Sequence, residues 1–213
     1  MAERYVPAAG RPAFTRLYDT VVALTMREAT FRGRLRAQVL AGLAPGAAVV
    51  DVGCGTGTLA IALAADGAQV IGVDGDPEVL ALAHAKPGAE AVQWRKGLAT
   101  ALPLPGAGAD RVVMSLLLHH LDGAGKRTAL AEAVRVLRPG GRLHVADWGR
   151  PRDPPMRAAA WALERVDGPD GLREHLDGGL HAMLSDAGFV AVAVHERLRT
   201  GWGSLELLSA LRP

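Results

Sequence analysis

The chain has 213 residues, 49% of them hydrophobic, which is enough for one α/β domain with a full core. The formal net charge is only +2, although the calculated isoelectric point is about 9.0. The densest basic cluster, Arg32, Arg34 and Arg36, alternates along a predicted helix and is expected to spread over its solvated surface. Aromatic residues make up 4% of the chain, which leaves little surface for stacking on bases, so no nucleic-acid partner is expected.

Cys54 is the only cysteine, which excludes a disulfide within the chain and a multi-cysteine metal site. No histidine and carboxylate pair shows the spacing of metal ligands, so no metal is expected. No apolar run approaches the ~20 residues that span a bilayer, and residues 1–5 lack the apolar segment of a secretory signal. We therefore expect a soluble, cytoplasmic protein.

The first 45 residues are predicted to be helical and to end at the Pro45-Gly46 turn. Strands and helices then alternate, which is typical of a parallel sheet covered by helices on both faces. The predicted strands span 47–52, 69–73, 91–94, 110–116 and 142–146, and the predicted helices span 58–65, 77–86 and 126–137.

The pattern changes after Asp147, where three prolines precede a helical segment over 156–184 that is interrupted by glycines. Strands over 189–198 and 204–210 flank a short glycine turn, so they must be antiparallel. We expect a single domain over 1–213. Its predicted parts are a helical N-terminal cap (1–45), a ligand-binding core (46–148), a helical lid or insertion (149–188) and a C-terminal strand hairpin (189–213).

The most informative stretch is the glycine loop over residues 49–57. A β-branched strand breaks into Gly53, Gly55 and Gly57, and a helix follows at once, an arrangement that brings backbone N–H groups to a nucleotide-like ligand. The dinucleotide fingerprint needs glycine at its first, third and sixth positions. The sixth position counted from Gly53 is Thr58, so the spacing argues against a nicotinamide-dependent reductase.

The ligand of such a sheet lies outside the carboxyl ends of its strands. Asp74 directly follows the second predicted strand and lies 17 residues beyond Gly57, at a place where an acidic side chain accepts hydrogen bonds from ribose hydroxyls. No phosphate-binding arginine follows it, so the pattern favours a nucleoside with a free ribose. The other strand ends are followed by residues 97–99, 115–120 and 147–148.

With these residues the chain resembles the class I S-adenosylmethionine-dependent methyltransferases, and among them the ubiquinone/menaquinone-biosynthesis-type small-molecule enzymes. The matching segments lie between residues 45 and 148 in the order of the family. They are Asp51-Val52-Gly53-Cys54-Gly55-Thr56-Gly57, Gly72-Val73-Asp74, Ala101-Leu102-Pro103, His119-His120-Leu121 and Leu137-Arg138-Pro139-Gly140-Gly141-Arg142. The resemblance implies a Rossmann-like, seven-stranded, mostly parallel sheet with a C-terminal antiparallel hairpin, and S-adenosyl-L-methionine as the cofactor.

The resemblance also implies how the cofactor is bound. The glycines would let the backbone approach it, Asp51 would hold the loop near its amino group, and Asp74 would bind the ribose. Asp76 is expected to cap a helix instead. The family usually has an aspartate near the adenine where this chain has Leu98, so an apolar side chain would meet the base there. The expected cofactor-binding residues are Asp51, Gly53, Cys54, Gly55, Gly57, Asp74, Gly75, Leu98, Ala99 and Ser115.

Methyl transfer is an in-line displacement at an activated sulfonium carbon, so the protein aligns the reactants, excludes water and, where needed, removes a proton. The candidate bases are His119, His120 and Asp147, which follow the fourth and fifth strands. A histidine suits the role because its pKa is near neutrality, but either histidine could equally pack or bond to backbone. His84 and His144 are expected to be structural, and His181 and His195 receive no role.

The acceptor pocket is expected in the segments at either end of the matched span. Its candidate residues are Tyr18, Met26, Arg27, Phe31, Met156, Trp161 and Leu172, which could equally pack helices on the sheet. An apolar cover would favour a small, apolar or aromatic acceptor. The alternative function is a non-catalytic methyltransferase-like subunit that binds the cofactor or a partner. The sequence leaves open whether the protein is a monomer or a homodimer.

Overall fold

The structure, a computed structural model, describes residues 28–167 and 169–213. Most of the predicted N-terminal cap, including Tyr18, Met26 and Arg27, lies outside the described residues. The last part of the predicted cap is helix α1, Glu28–Leu40. The division of the chain into cap, core, lid and hairpin stays a prediction.

Seven strands form one sheet, as predicted, and their order in it is β3-β2-β1-β4-β5-β7-β6. They are β1 (Ala48–Val52), β2 (Gln69–Asp74), β3 (Val92–Lys96), β4 (Ala109–Ser115), β5 (Leu137–Gly149), β6 (Val190–Thr200) and β7 (Gly203–Leu211). The strands from β3 to β5 pair in parallel, and β7 pairs antiparallel with both β5 and β6. Because β7 lies between β5 and β6, it alone runs against the rest of this sheet.

Strand β5 is longer than predicted because its pairing begins before the glycine turn. Leu137 pairs with Ala109, the register then shifts, and Arg142 resumes the pairing opposite Arg111. Gly140 within the irregular stretch has φ +78°, a left-handed conformation that glycine adopts without strain. The Pro139-Gly140-Gly141 stretch therefore lies within β5, where it interrupts the regular pairing with β4.

Helices cover both faces of the sheet. They are α1, α2 (Thr58–Ala65), α3 (Pro77–His84), α4 (Gly123–Val136), α5 (Pro154–Asp167), α6 (Pro169–Leu176) and α7 (Leu180–Asp186), with 3₁₀ helices at Ala89–Ala91 and Leu118–His120. One apolar cluster joins the sheet to α4 and α7, and a second joins the opposite face to α1, α2, α5 and α6. Asp76 caps α3 as expected, accepting hydrogen bonds from the N–H groups of Glu78 and Val79.

The three arginines of α1 all form ion pairs. Arg32 pairs with Glu28 on the same helix, and the other two arginines tie α1 to β6 and to the end of α2. Those two pairs are Arg34–Glu196 and Arg36–Asp66. This arrangement agrees with a solvated helix face rather than a nucleic-acid surface. Within the described part of the chain, no helix combines the length and the apolar character needed to cross a membrane.

Candidate active site

The parallel strands bring the predicted residues to one edge of the sheet. Because β1 to β5 all point the same way, the segments that follow them meet at their carboxyl ends. The glycine loop follows β1, Asp74 ends β2, and Leu98 and Ala99 follow β3. Ser115 ends β4, where it pairs with Ala146 of β5, one residue before Asp147.

The glycine loop is held by its neighbour β2. The N–H groups of Gly53 and Cys54 donate to the carbonyl of Val73 at 2.8 and 3.1 Å, and the N–H of Gly55 donates to the Asp74 carboxylate at 2.9 Å. Gly55 has φ +54°, and no atom lies within 4 Å of where its Cβ would stand. The loop therefore presents open space to a ligand at Gly55.

The other two glycines of the loop make room for the protein itself. A Cβ on Gly53 would lie 2.7 Å from the Leu117 side chain, and one on Gly57 would lie 2.3 Å from the Trp94 ring. Both also have positive φ values, of +68° and +76°. Close packing thus requires glycine at both positions whether or not a ligand is bound.

Asp74 has two functions available to it. Its Oδ2 accepts from Gly55 N–H, and its Oδ1 accepts from Asp76 N–H at 3.0 Å, so it fixes the loop. Burial raises the pKa of Asp74, while the hydrogen bonds from Asp76 and Gly55 lower it. Each carboxylate oxygen has a further lone pair, so the side chain can also accept hydrogen bonds from a ligand diol.

Asp51 lies on β1, two residues before Gly53 of the loop. It is 2% exposed, and its Oδ2 is buried without a hydrogen-bond donor. Burial raises the pKa of Asp51 to about 7; nearby Arg32 opposes the shift and the Asp74 carboxylate adds to it. A buried carboxylate is stable in its ionised form only with a partner, so Asp51 and the open space at Gly55 fit a ligand with a cationic amino group.

The remaining predicted cofactor residues lie along the same edge. Gly97 N–H donates to the Asp74 carbonyl at 3.0 Å, which places the half-buried Leu98 and Ala99 beside β2. Cys54 is buried, and burial raises the pKa of its thiol well above the usual range, so it stays protonated. That agrees with a structural cysteine rather than a nucleophile.

His119 and Asp147 form a buried pair at the ends of β4 and β5. His119 Nδ1 lies 2.7 Å from Asp147 Oδ1, and the side chains are 3% and 0% exposed. Asp147 also accepts from the N–H groups of Leu118 at 2.9 Å and Trp148 at 2.8 Å. Burial alone would raise the pKa of Asp147, but the charges of His119 and His175 and the hydrogen bonds from His119 and Trp148 hold it well below its usual range. The carboxylate is therefore ionised, and Nδ1 of His119 is the donor.

The adjacent histidine has a different environment. The ring of His120 lies 4.0 Å from that of His119, centroid to centroid. Burial, with a further contribution from His119, lowers the pKa of His120 to about 3. His120 is therefore neutral near pH 7 and a weak base.

A third histidine at this site was missed by the sequence reasoning. His175 of α6 is fully buried, with Nδ1 3.2 Å from the Trp148 carbonyl and 3.9 Å from Asp147 Oδ1. Burial lowers its pKa, and Asp147 opposes that shift. His175 lies outside the motif segments in a helix of ordinary composition, so no signal in the sequence marks it.

Helix α6 is seated directly on the turn that bears His119. A Cβ on Gly171 would lie 1.9 Å from the carbonyl oxygen of His119, so the two backbones are in contact. The buried Lys126 of α4 donates through Nζ to the Gly171 carbonyl at 2.6 Å and to Glu174 at 3.0 Å. These hydrogen bonds from Lys126 hold α6 over the turn that bears His119. No sequence motif marks Lys126.

Most of the described candidates for the acceptor pocket are packed in the interior. Phe31 and Leu172 belong to the apolar cluster beneath α1 and α6, and Met156 is buried. Trp161 of α5 is 56% exposed, and the Arg165 guanidinium lies 3.6 Å from its ring centroid. The packing interpretation fits the first three residues, and Trp161 is the exposed member of the set.

An open α/β sheet with one reversed strand, a glycine loop after β1 and an acid at the end of β2 define a class I S-adenosylmethionine-dependent methyltransferase. Residues 49–141 match the family described as Methyltransferase domain. An uncharacterized methyltransferase of Synechocystis sp. is 32% identical over 211 residues, which cover 91% of this chain and 92% of that protein. The chain therefore belongs to the S-adenosylmethionine-dependent methyltransferases, and its cofactor is S-adenosylmethionine.

Two further relatives show the range of the similarity. The demethylmenaquinone methyltransferase of Thermus thermophilus is 36% identical over 153 residues, or 70% of this chain and 67% of that protein. A solved structure from Thermotoga maritima, described as a possible histamine N-methyltransferase, shares the fold with a TM-score of 0.68 and 23% identity. That match covers 94% of this chain and 97% of the other.

Proposed function

We propose that this enzyme methylates a small, apolar or aromatic molecule at the carboxyl ends of β4 and β5, with His119 as the general base. The buried His119–Asp147 pair beside the glycine loop supports this most directly. The close approach of Leu117 to Gly53 joins the turn that bears His119 to the loop, so a base and a methyl donor would be neighbours.

The cofactor would be bound by the residues along this edge, and when bound it supplies an electrophilic methyl group. Asp51 would receive its amino group, because the carboxylate is buried and Oδ2 has no donor. Asp74 would accept from the ribose hydroxyls, and the backbone at Gly55 would lie against the ligand. Gly75, Leu98, Ala99 and Ser115 would border the remaining parts of the cofactor.

His119 suits proton removal because Asp147 fixes its tautomer. Donation from Nδ1 to Asp147 leaves the ring lone pair on Nε2, and Nε2 would take the proton of the acceptor. The Asp147 carboxylate would then stabilise the imidazolium without itself becoming protonated, as the orienting carboxylate of a hydrolase triad does. Asp147 is thereby a positioning residue. His120, with its pKa of about 3, is the weaker candidate base.

The acceptor class rests on the apolar surroundings of the site and on one relative. The buried Trp148 lies edge-on to His119, with ring centroids 6.2 Å apart. The relative from Thermus thermophilus bears the name demethylmenaquinone methyltransferase. Phenols, catechols and quinols combine an aromatic body with an acidic proton for His119, so they are the first acceptors to test.

The test is a product assay on the purified chain. S-adenosylmethionine is incubated with a panel of phenols, catechols and quinols, and both S-adenosylhomocysteine and the methylated product are measured by mass spectrometry. Acceptor-dependent product from the wild type, lost in His119→Gln with unchanged S-adenosylhomocysteine affinity, is the expected result. Cofactor binding without transfer to any acceptor would favour the non-catalytic alternative instead.

A further inference from the structure

A group of basic side chains lies on one face of the sheet, toward the amino ends of β4 and β5. Arg111 pairs with Arg142 in the β4–β5 register, and His144 pairs with Ser209 in the β5–β7 register. Paired residues share a face of the sheet, as do alternate residues of one strand, so these four side chains are neighbours. The ring of His195 joins them, with Nε2 2.8 Å from Ser209 Oγ. We call these five residues the basic cluster.

Two members of the basic cluster are buried without adequate partners. Arg111 is 8% exposed; its NH1 group donates to the backbone carbonyl of Asp110, and its Nε has no partner. His144 is 3% exposed, and neither of its ring nitrogens has a partner. An arginine is always charged. A buried charge without a counter-charge lowers the stability of the fold by an amount on the order of several kcal/mol.

Three carboxylates of the strands around the basic cluster are already in ion pairs. Within residues 28–167 and 169–213, neither Arg111 nor Arg142 forms an ion pair. The three ion pairs, which involve other arginines, are Asp110–Arg138, Glu196–Arg34 and Glu206–Arg197. The basic cluster therefore holds excess positive charge in a largely buried setting.

The electrostatics of the basic cluster match this description. Burial, followed by the charges of Arg111, His195 and Arg142, lowers the pKa of His144 to about 3. Burial and the charge of Arg142 also lower the pKa of Arg111, with Asp110 opposing them. The side chains repel one another's positive charge, and an anion among them would remove that repulsion.

We infer that the basic cluster is a binding site for a small oxyanion, either a phosphate or a carboxylate. The planar guanidinium of Arg111 can bind two oxygens of either group, with Arg142 opposite it and Ser209 as a hydroxyl donor. A bound anion would favour the protonated form of His144, which can donate a hydrogen bond to it. The site is separate from methyl transfer, since Arg142 and Asp147 are five residues apart on β5, roughly 16 Å along an extended strand.

The experiment measures the melting temperature of the full chain in sodium phosphate and in sodium succinate, each against potassium chloride at equal ionic strength. A specific site gives a saturating rise, of about 5 °C or more at one hundred times the dissociation constant for a chain of this size. A rise with phosphate alone identifies a phosphate site, and a rise with succinate identifies a carboxylate site. No saturating rise beyond that of potassium chloride would overturn the inference.

Matched variants locate the effect. Arg111→Met should abolish the rise and should itself increase the melting temperature in anion-free buffer, because it removes an uncompensated buried charge. Arg142→Met, at a half-exposed position, should weaken the response, and Arg127→Met, on the exposed side of α4, should respond as the wild type does. An undiminished rise in both Arg111→Met and Arg142→Met would refute the site. S-adenosylhomocysteine affinity should be unchanged in all three variants.

Discussion

His119 Nδ1 and Asp147 Oδ1 lie 2.7 Å apart in the interior, at the point where β4 and β5 end side by side. Asp147 is held in turn by the N–H groups of Leu118 and Trp148, so the imidazole is oriented by a carboxylate that cannot itself turn. Catalytic imidazoles that take a proton from a neutral acceptor need such an orientation, because only one ring nitrogen then has a lone pair.

The two adjacent histidines should differ sharply on substitution. His119→Gln should lower kcat by about 10²–10⁴-fold, the range for loss of a general base, because glutamine cannot take the proton of the acceptor. His120→Gln should keep most of the activity, since its pKa of about 3 makes it a poor base. Steady-state kinetics with a responsive acceptor measures both. A larger loss in His120→Gln than in His119→Gln would reverse the assignment.

The packing of α6 against the turn that bears His119 should be sensitive to one added methyl group. In Gly171→Ala the new Cβ would lie 1.9 Å from the His119 carbonyl oxygen, so α6 must move away. We expect a lower melting temperature and a lower kcat, with S-adenosylhomocysteine affinity kept. Gly33→Ala in α1 is the control, because nothing lies within 4 Å of its Cβ. That variant should gain roughly 0.5–1 kcal/mol from helix propensity. Equal effects of the two variants would contradict the close contact.

The order of the elements could be predicted because each depends on local sequence. Helix α2 has the predicted bounds, since an apolar alanine-rich run follows the Gly57 turn directly. The position of β7 between β5 and β6 could not be predicted, because strand order depends on pairing between distant segments. The burial of His175 and of Arg111 could not be predicted either. Their burial depends on which element lies above them, and neither belongs to a motif.

Asp74 and Asp76, which are two residues apart at the end of β2, should have different effects on substitution. Asp74→Ala removes the acceptor of the Gly55 N–H and the proposed ribose contact, so S-adenosylhomocysteine affinity should fall at least tenfold. Asp76→Ala removes the cap of α3 and should cost about 1 kcal/mol of stability, with near-normal affinity. Isothermal titration and thermal unfolding measure the two effects. A comparable loss of affinity in both variants would show that Asp74 acts through the loop fold alone.

Asp51 should make cofactor binding depend on pH. Its pKa of about 7 means that the carboxylate is largely protonated at pH 5.5 and largely ionised above pH 7.5. An amino group binds the ionised form, so affinity for S-adenosylhomocysteine should rise with pH across this window, by up to about tenfold per unit below pH 7. Asp51→Asn should bind weakly with a flatter profile. A wild-type affinity that is flat over this window would exclude an ionic contact at Asp51.

His120 should weaken the fold in acid. Its folded pKa of about 3 lies below the unfolded value of about 6.5, so the unfolded chain binds a proton between these limits and the folded chain does not. The contribution of His120 to the free energy of unfolding is therefore complete above pH 6.5. It decreases as the pH falls, by at most about 1.4 kcal/mol per pH unit. His120→Gln should flatten the fall of melting temperature between pH 6.5 and pH 4, whereas His181→Gln, at an exposed position, should not. Asp51 has the opposite sign, because its raised pKa adds stability as pH falls below 7. The melting temperatures of the wild type and the variants are therefore compared at each pH. Identical slopes of melting temperature against pH for the wild type and His120→Gln would show that His120 is protonated in the folded protein.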